Sequence, residues 1–243
     1  MNRSAAWAAA LPLIGLAACT GSLFRSKIAP PTVYMLTAGA GSTDTAVSGA
    51  GSTVAPTPGV MIPADLAVLK PKLRTGLETD RIAVLYPDRH LDYFADARWS
   101  GPLGDVLQDF VVQEFHTRAH LRTVSGDASV FPSAYWLEME VTDFQAEYTA
   151  AAVAPTGHVQ ILARIGNSGD RRVLGRFVAN AQQQAAGNRL TAIVDAYARA
   201  ADAALADIIA HADDVLAKSS EAAKSSESRG FQKLDSPVAS ANR

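Results

Sequence analysis

Cysteine is nearly missing from this chain: one residue, Cys19, in 243. A single thiol excludes an internal disulfide framework and any zinc site built on several cysteines. Charge of one sign is not in excess, since 22 Lys and Arg meet 24 Asp and Glu for a formal net charge of -2. Nucleic-acid partners are recognised by a basic footprint, and there is none. Long apolar runs are scarce too. The stretch AAWAAALPLIGLAA, from Ala5 to Ala18, is the longest uncharged apolar one, and it falls short of the about 20 apolar residues a bilayer-spanning helix needs. The marks of several chemistries are also lacking. There is no Gly-x-Ser-x-Gly elbow for a nucleophilic serine. The Gly-rich stretch 39–52 has no Gly-Lys-Ser and does not open a helix, so it supports neither a phosphate loop nor a dinucleotide fingerprint. Ser125-Gly126-Asp127 has the composition of a turn.

Five histidines remain: His90, His116, His120, His158 and His211. His116 and His120 are four apart and close to Glu114, but the His-Glu-x-x-His order is absent and the pair sits where a helix gives way to a strand. They read as surface histidines, and no metal site is expected. Glu138 and Glu140 share one face of a strand whose other face is apolar, which describes a solvated outer face rather than a catalytic carboxylate pair. Arg171-Arg172 is a solvated pair beside a turn. With no convergent acid, base and nucleophile, the chain reads as a non-enzyme with no dissociable cofactor.

The N-terminus carries more information. Met-Asn-Arg-Ser gives one positive charge, Arg3, ahead of the apolar run, and small residues close it; this is the layout of a secretory signal. Its last residues, Leu16-Ala17-Ala18-Cys19, resemble the bacterial lipobox. That resemblance implies a signal peptide over 1–18, a diacylglycerol on the Cys19 thiol and an N-acyl lipid on its new amino group. Two or more acyl chains anchor stably where one is marginal, at ~0.8 kcal/mol per buried methylene. Thr20, not aspartate, follows Cys19. By resemblance to Gram-negative lipoprotein sorting, this points to a periplasm-facing location on the outer membrane.

Residues 19–31 form a polar spacer ending in Pro30-Pro31, and 32–218 is the expected folded body. Thr32 to Thr37 reads as a first strand. The segment 38–58, AGAGSTDTAVSGAGSTVAPTP, is too poor in large apolar residues to offset its ordering entropy and reads as a flexible loop. Strands follow at Ala64–Leu69 and Asp80–Tyr86, then an irregular aromatic stretch from Arg89 to Arg98. A helix is expected from near Trp99, with Ser100 as N-cap and Pro102 in its first turn. Leu103, Val106, Leu107, Phe110, Val111, Glu114 and Phe115 fall on one helical face, with Glu114 its only polar member. His120–Val124 is a short strand and Ala134–Tyr148 a long one. In the long strand the apolar residues change parity at Asp143, the mark of a bulge. Val159–Ile165 and Val173–Ala179 alternate about an Asn-Ser-Gly-Asp turn and form a hairpin. A final helix, capped by Asn188, keeps its apolar spacing to about Lys218, and 219–243 reads as a disordered tail. The order specifies an α/β (α+β) fold, a mixed, largely antiparallel sheet with two long amphipathic helices packed on it.

Several of these features recur together elsewhere. The lipobox, the Tyr34-Met35-Leu36 strand, Arg81-Ile82 opening a strand, Tyr93, and Trp99-x-x-Pro102-Leu103 at the mouth of a helix ending in Phe115 stand in an order that resembles the ABC-type transport auxiliary lipoprotein component family, the group that includes the paraquat-inducible lipoprotein C. The resemblance covers Val33 to Ala210, and the long 38–58 loop and Ser-rich tail are additions to it. It implies an MCE-domain protein and an ABC transporter permease and ATPase as partners, in the movement of lipids or other hydrophobic molecules. The chain would tie that complex to the outer membrane, and a homo-oligomer is compatible with this. A different role, as an envelope assembly or scaffold lipoprotein serving secretion, a pilus or a cell-wall synthase, fits the same lipobox and domain. Tyr93, Phe94, Trp99, Pro102 and Leu103 are the candidate partner or ligand surface. The competing reading makes the aromatics a cap over the helix–sheet core. Direct contact with lipid calls for an apolar groove beside the Trp99 helix.

Overall fold

The structure is a computed structural model that describes residues 30–37, 61–126 and 132–234, with side chains to 225. The lipobox with Cys19, residues 20–29 of the spacer, the 38–58 loop and residues 235–243 of the tail lie outside the described residues.

A thirteen-residue strand, Tyr135–Glu147, organises the sheet. In chain order the strands are β1 (Thr32–Tyr34), β2 (Ile62–Val68), β3 (Lys72–Leu73), β4 (Arg81–Leu85), β5 (Leu91–Trp99), β6 (Leu121–Gly126), β7 (Tyr135–Glu147), β8 (Thr156–Asn167) and β9 (Val173–Gln184); the helices are α1 (Leu103–Arg118) and α2 (Leu190–Leu234). In β7 Tyr135, Leu137, Met139 and Val141 are buried, and past a register shift between Val141 and Asp143 the buried apolar residues become Phe144 and Ala146. The parity change in the sequence is therefore a bulge. One edge of β7 pairs along its length with antiparallel β8, which in turn pairs with antiparallel β9. The other edge receives three short parallel strands end to end: β2, β3 and β4. From β2 the sheet continues to parallel β6, and from β4 to antiparallel β5 and then parallel β1. The long ladders are antiparallel and the short ones mostly parallel, so the mixed, largely antiparallel α+β sheet holds.

Both helices bury the faces their spacing specifies. On α1 these are Leu103, Leu107, Phe110, Val111 and Phe115; on α2 they include Ile193, Tyr197, Leu205, Ile208 and Leu216. Where β8 runs under α2, Gly157 lies so close to the helix that a Cβ there would stand 3.0 Å from the Ala196 carbonyl carbon and the Tyr197 nitrogen.

Four expectations change. The stretch from Arg89 to Arg98 is not irregular, because most of it is β5. Its register against β4 jumps from Ala83↔Tyr93 to Arg81↔Arg98, setting five steps of β5 against two of β4, with Asp96 at φ 54°. That bulge erases the alternation by which a strand is recognised. Second, α1 starts at Leu103 rather than near Trp99. Trp99 ends β5, its N–H donating to Asp80 O at 2.7 Å, and Pro102, not Ser100, takes the N-cap position without a side-chain cap. The Leu103 N–H donates to Thr79 O at 3.0 Å, so a tertiary acceptor does the work of a cap. Third, the side chain of Asn188 accepts a hydrogen bond from the Tyr148 hydroxyl. Fourth, α2 does not fade at Lys218 but runs to Leu234, because Ala, Lys and Glu carry a helix beyond the packed face that ends near Ser220.

Candidate functional site

The five surface candidates divide between core and surface. Trp99 is 1% exposed, edge-on to Phe144 and Tyr197 at ring-centroid distances of 5.8 and 5.7 Å. Leu103 is buried beside it in the core. The Tyr197 hydroxyl donates to Ala83 O, and complete burial pushes its pKa far up, so the phenol stays a neutral donor. Tyr93 is half-buried. Its hydroxyl donates to Gly76 O at 2.7 Å and the Arg81 guanidinium lies 4.2 Å above its ring. Gly76 supplies the positive φ, 95°, that this turn requires. Phe94 is half-buried as well, and Pro102 is exposed. Trp99 and Leu103 thus belong to the core, and Tyr93, Phe94 and Pro102 keep an outward face.

A cleft of about 460 Å³ opens at the start of α1, lined by Pro71, Leu73, Glu78, Pro102, Leu103 and Gly104, with Lys70 and Lys72 at its rim. Lys70 pairs with Asp105 and Lys72 with Glu138. The hydrogen bond from Lys72, aided by the charge of Arg164, holds the Glu138 carboxyl below its ordinary range against some desolvation. Trp99 is not in the wall. The lining is mixed, with Pro71, Leu73, Pro102 and Leu103 beside Lys70, Lys72 and Glu78, so it is not the wholly apolar groove that direct lipid contact calls for, and an apolar floor with a charged rim suits a protein surface.

On the sheet face away from α2 the side chains form a polar lattice. Glu138 sits between Lys72 and Arg164. Gln160 donates to Thr142 Oγ1 at 2.9 Å and accepts from Asn180 at 2.8 Å. Beyond the β7 bulge, Asp143, Gln145 and Glu147 meet His158 of β8. The Gln145 amide donates to Asp143 Oδ1 at 2.8 Å and to Glu147 Oε1 at 2.9 Å; His158 Nδ1 lies 2.7 Å from Glu147 Oε1 and Arg74 Nη1 3.2 Å from Asp143 Oδ1. The sequence hinted at this group only through Asp143, Gln145 and Glu147 at period two after the parity change; His158 joins across strands. His116 and His120 are spent elsewhere, on Val124 O at 2.8 Å and on Asp213 Oδ2 at 3.0 Å.

With this geometry in place, comparison with known proteins is informative. The model of the ABC-type transport auxiliary lipoprotein component family matches residues 47–210. Among solved structures, protein XCC0632 from Xanthomonas campestris is similar with a TM-score of 0.62 and 22% identity, covering 68% of this chain and 94% of its own. An uncharacterized protein is similar with a TM-score of 0.53 and 12% identity over 75% of this chain and 99% of its own. At these identities the likeness is one of fold. No curated protein matches the chain. Among the described residues no helix is long and apolar enough to cross a membrane. The family match spans the sheet from β2 to β9, both helix faces and the cleft at the mouth of α1, and on that ground the chain belongs to the ABC-type transport auxiliary lipoprotein component family.

Proposed function

We propose that this protein is the periplasm-facing auxiliary subunit of an MCE/ABC-type system that moves lipids or other hydrophobic molecules, tied to the outer membrane by acyl chains on Cys19. The observation that carries the reading is the family match over 47–210 behind a Leu16-Ala17-Ala18-Cys19 lipobox. The acyl chains hold Cys19 at the bilayer, the spacer gives the body reach, and the body docks on the MCE assembly. The docking surface is the mouth of α1. Tyr93, Phe94 and Pro102 face outward there, beside a cleft whose lysine and glutamate rim favours a polar protein partner. In this role the subunit tethers and orients its partners and does not itself carry the lipid.

Affinity capture of the full lipidated chain from detergent-solubilised envelopes tests this. Co-purification of an MCE-domain protein or a transporter subunit, weakened by Lys72→Glu at the cleft rim, is the expected result. Recovery only of secretion, pilus or cell-wall synthase components would overturn it.

A further inference from the structure

We propose that Asp143, Glu147 and His158 form a binding site for a borderline divalent cation of the Zn2+ class, on the sheet face away from α2. One carboxylate oxygen from each acid and a ring nitrogen of His158 lie within 4.8 Å of one another. A tetrahedral ion with bonds of about 2.0–2.2 Å sets its ligand atoms roughly 3.4 Å apart, so small side-chain shifts complete the set. The backbone brings these groups together. The bulge between Val141 and Asp143 turns Asp143 onto the face of Gln145 and Glu147, and the β7–β8 register sets His158 opposite Gln145.

A buried residue holds the ligands in place. Gln145 is 0% exposed; its Oε1 accepts the Phe144 N–H at 2.9 Å, which aims its amide nitrogen at both carboxylates. This is the outer-shell support that metal-ligating side chains characteristically have. The imidazole is 13% exposed and turns Nδ1 towards Glu147, while among the described residues its buried Nε2 has no hydrogen-bond partner. The charge fits as well. Two acids face one guanidinium, Arg74, which is 45% exposed and makes a single 3.2 Å contact with Asp143. Such solvent-screened pairs hold weakly, and a divalent cation displaces this one. An imidazole with two carboxylates favours Zn2+, Ni2+ or Cu2+, whereas Mg2+ and Ca2+ take oxygen ligands in greater number. Three protein ligands leave a fourth position for water.

The test is a titration of the EDTA-treated full-length protein in detergent with ZnCl2, followed by calorimetry, with Co2+ as a spectroscopic probe. The expected result is one saturable equivalent, visible d–d bands with Co2+, and a rise in the thermal midpoint with free metal. His158→Gln and Asp143→Asn should each weaken binding at least about tenfold while the metal-free circular dichroism stays native. Arg74→Ala, on an exposed side chain, should tighten it several-fold. No saturable binding overturns the proposal. So does binding of equal strength in His158→Gln, which would move it to the other histidines, and so does an Arg74→Ala affinity that is unchanged or weaker.

Discussion

Asp65 shows how a single half-buried side chain couples this fold to pH. It lies on β2 opposite Thr123 of β6, where its carboxylate accepts from Arg122 Nε at 2.8 Å and Thr123 Oγ1 at 2.6 Å. The Arg122 hydrogen bonds, then that of Thr123, hold its pKa down at about 2. An unfolded aspartate titrates near ~3.9, so the folded state binds this proton more weakly. The stabilisation is complete above about pH 4 and is lost as the pH falls towards 2. Asp65→Asn should therefore flatten the decline of the thermal midpoint between those pH values; an unchanged slope would show that the β2–β6 pairing does not depend on this charge. Trp99 works differently. Its indole fills the junction of β5, β7 and α2 against Phe144 and Tyr197. Trp99→Ala should cost about 3–5 kcal/mol in urea unfolding, the range for aromatic truncation in a core. A loss of partner capture with stability intact would instead put Trp99 at a docking surface.

At the scale of elements, α1 and α2 are joined by charges as well as by apolar packing. Glu114 is 1% exposed on the apolar face of α1, Arg118 one turn on brings Nε to 2.8 Å from its Oε2, and Arg118 also pairs with Asp202 of α2. Removing one member of such a group strands a buried charge, whereas replacing it with apolar residues is often neutral. Arg118→Met should thus destabilise by roughly 3 kcal/mol, and Glu114→Leu added to it should restore most of the loss; additive losses in that cycle would refute the coupling. The contact of β8 with α2 depends on the missing side chain of Gly157. Gly157→Ala pushes a methyl into helix backbone that cannot step aside locally, at a cost of about 1–3 kcal/mol, measurable by denaturant titration. On the opposite face Trp136 lies across Gly166, its paired residue on β8, where a Cβ would meet the ring.

At the scale of the whole molecule, the proposed anchor at Cys19 and the folded body are expected to be separable. The described core begins at Leu36, well past Cys19. Cys19→Ala should release the protein from the membrane fraction, with the thermal midpoint of the body unchanged; a variant that still fractionates with outer membranes would show that acylation is not its anchor. The sheet in turn sets out the surfaces available to partners. α2 covers one face of β7, β8 and β9, and α1 packs on β2 and β6. The other face is a polar lattice with the Asp143–His158 group within it, and the cleft opens where β3 meets the start of α1.

What the sequence determined by itself rests on regular spacing and on a short linear motif. The faces of α1 and α2, the β8–β9 hairpin and the β7 bulge are local periodicities, because a helix repeats near 3.6 residues and a strand every two. Membership of the family rests on residues in linear order, and so was legible as well. Glu114 stood out as the one polar residue of an apolar face, and Arg118 lies one turn along the same helix, but the pairing of Arg118 with Asp202 needed two helices brought together. Tertiary structure alone decided the rest. It made a strand of Leu91–Trp99, which β4 pairs around a bulge that breaks the alternation. It moved the start of α1 to Leu103 by offering Thr79 O to an N–H that a serine cap was expected to serve nearby. It split the Tyr93–Leu103 cluster between core and surface, and it set Asp143, Glu147 and His158 side by side. The physical reason is common to all four: each depends on a hydrogen bond or a contact between residues distant in sequence, and no local pattern encodes such a partner.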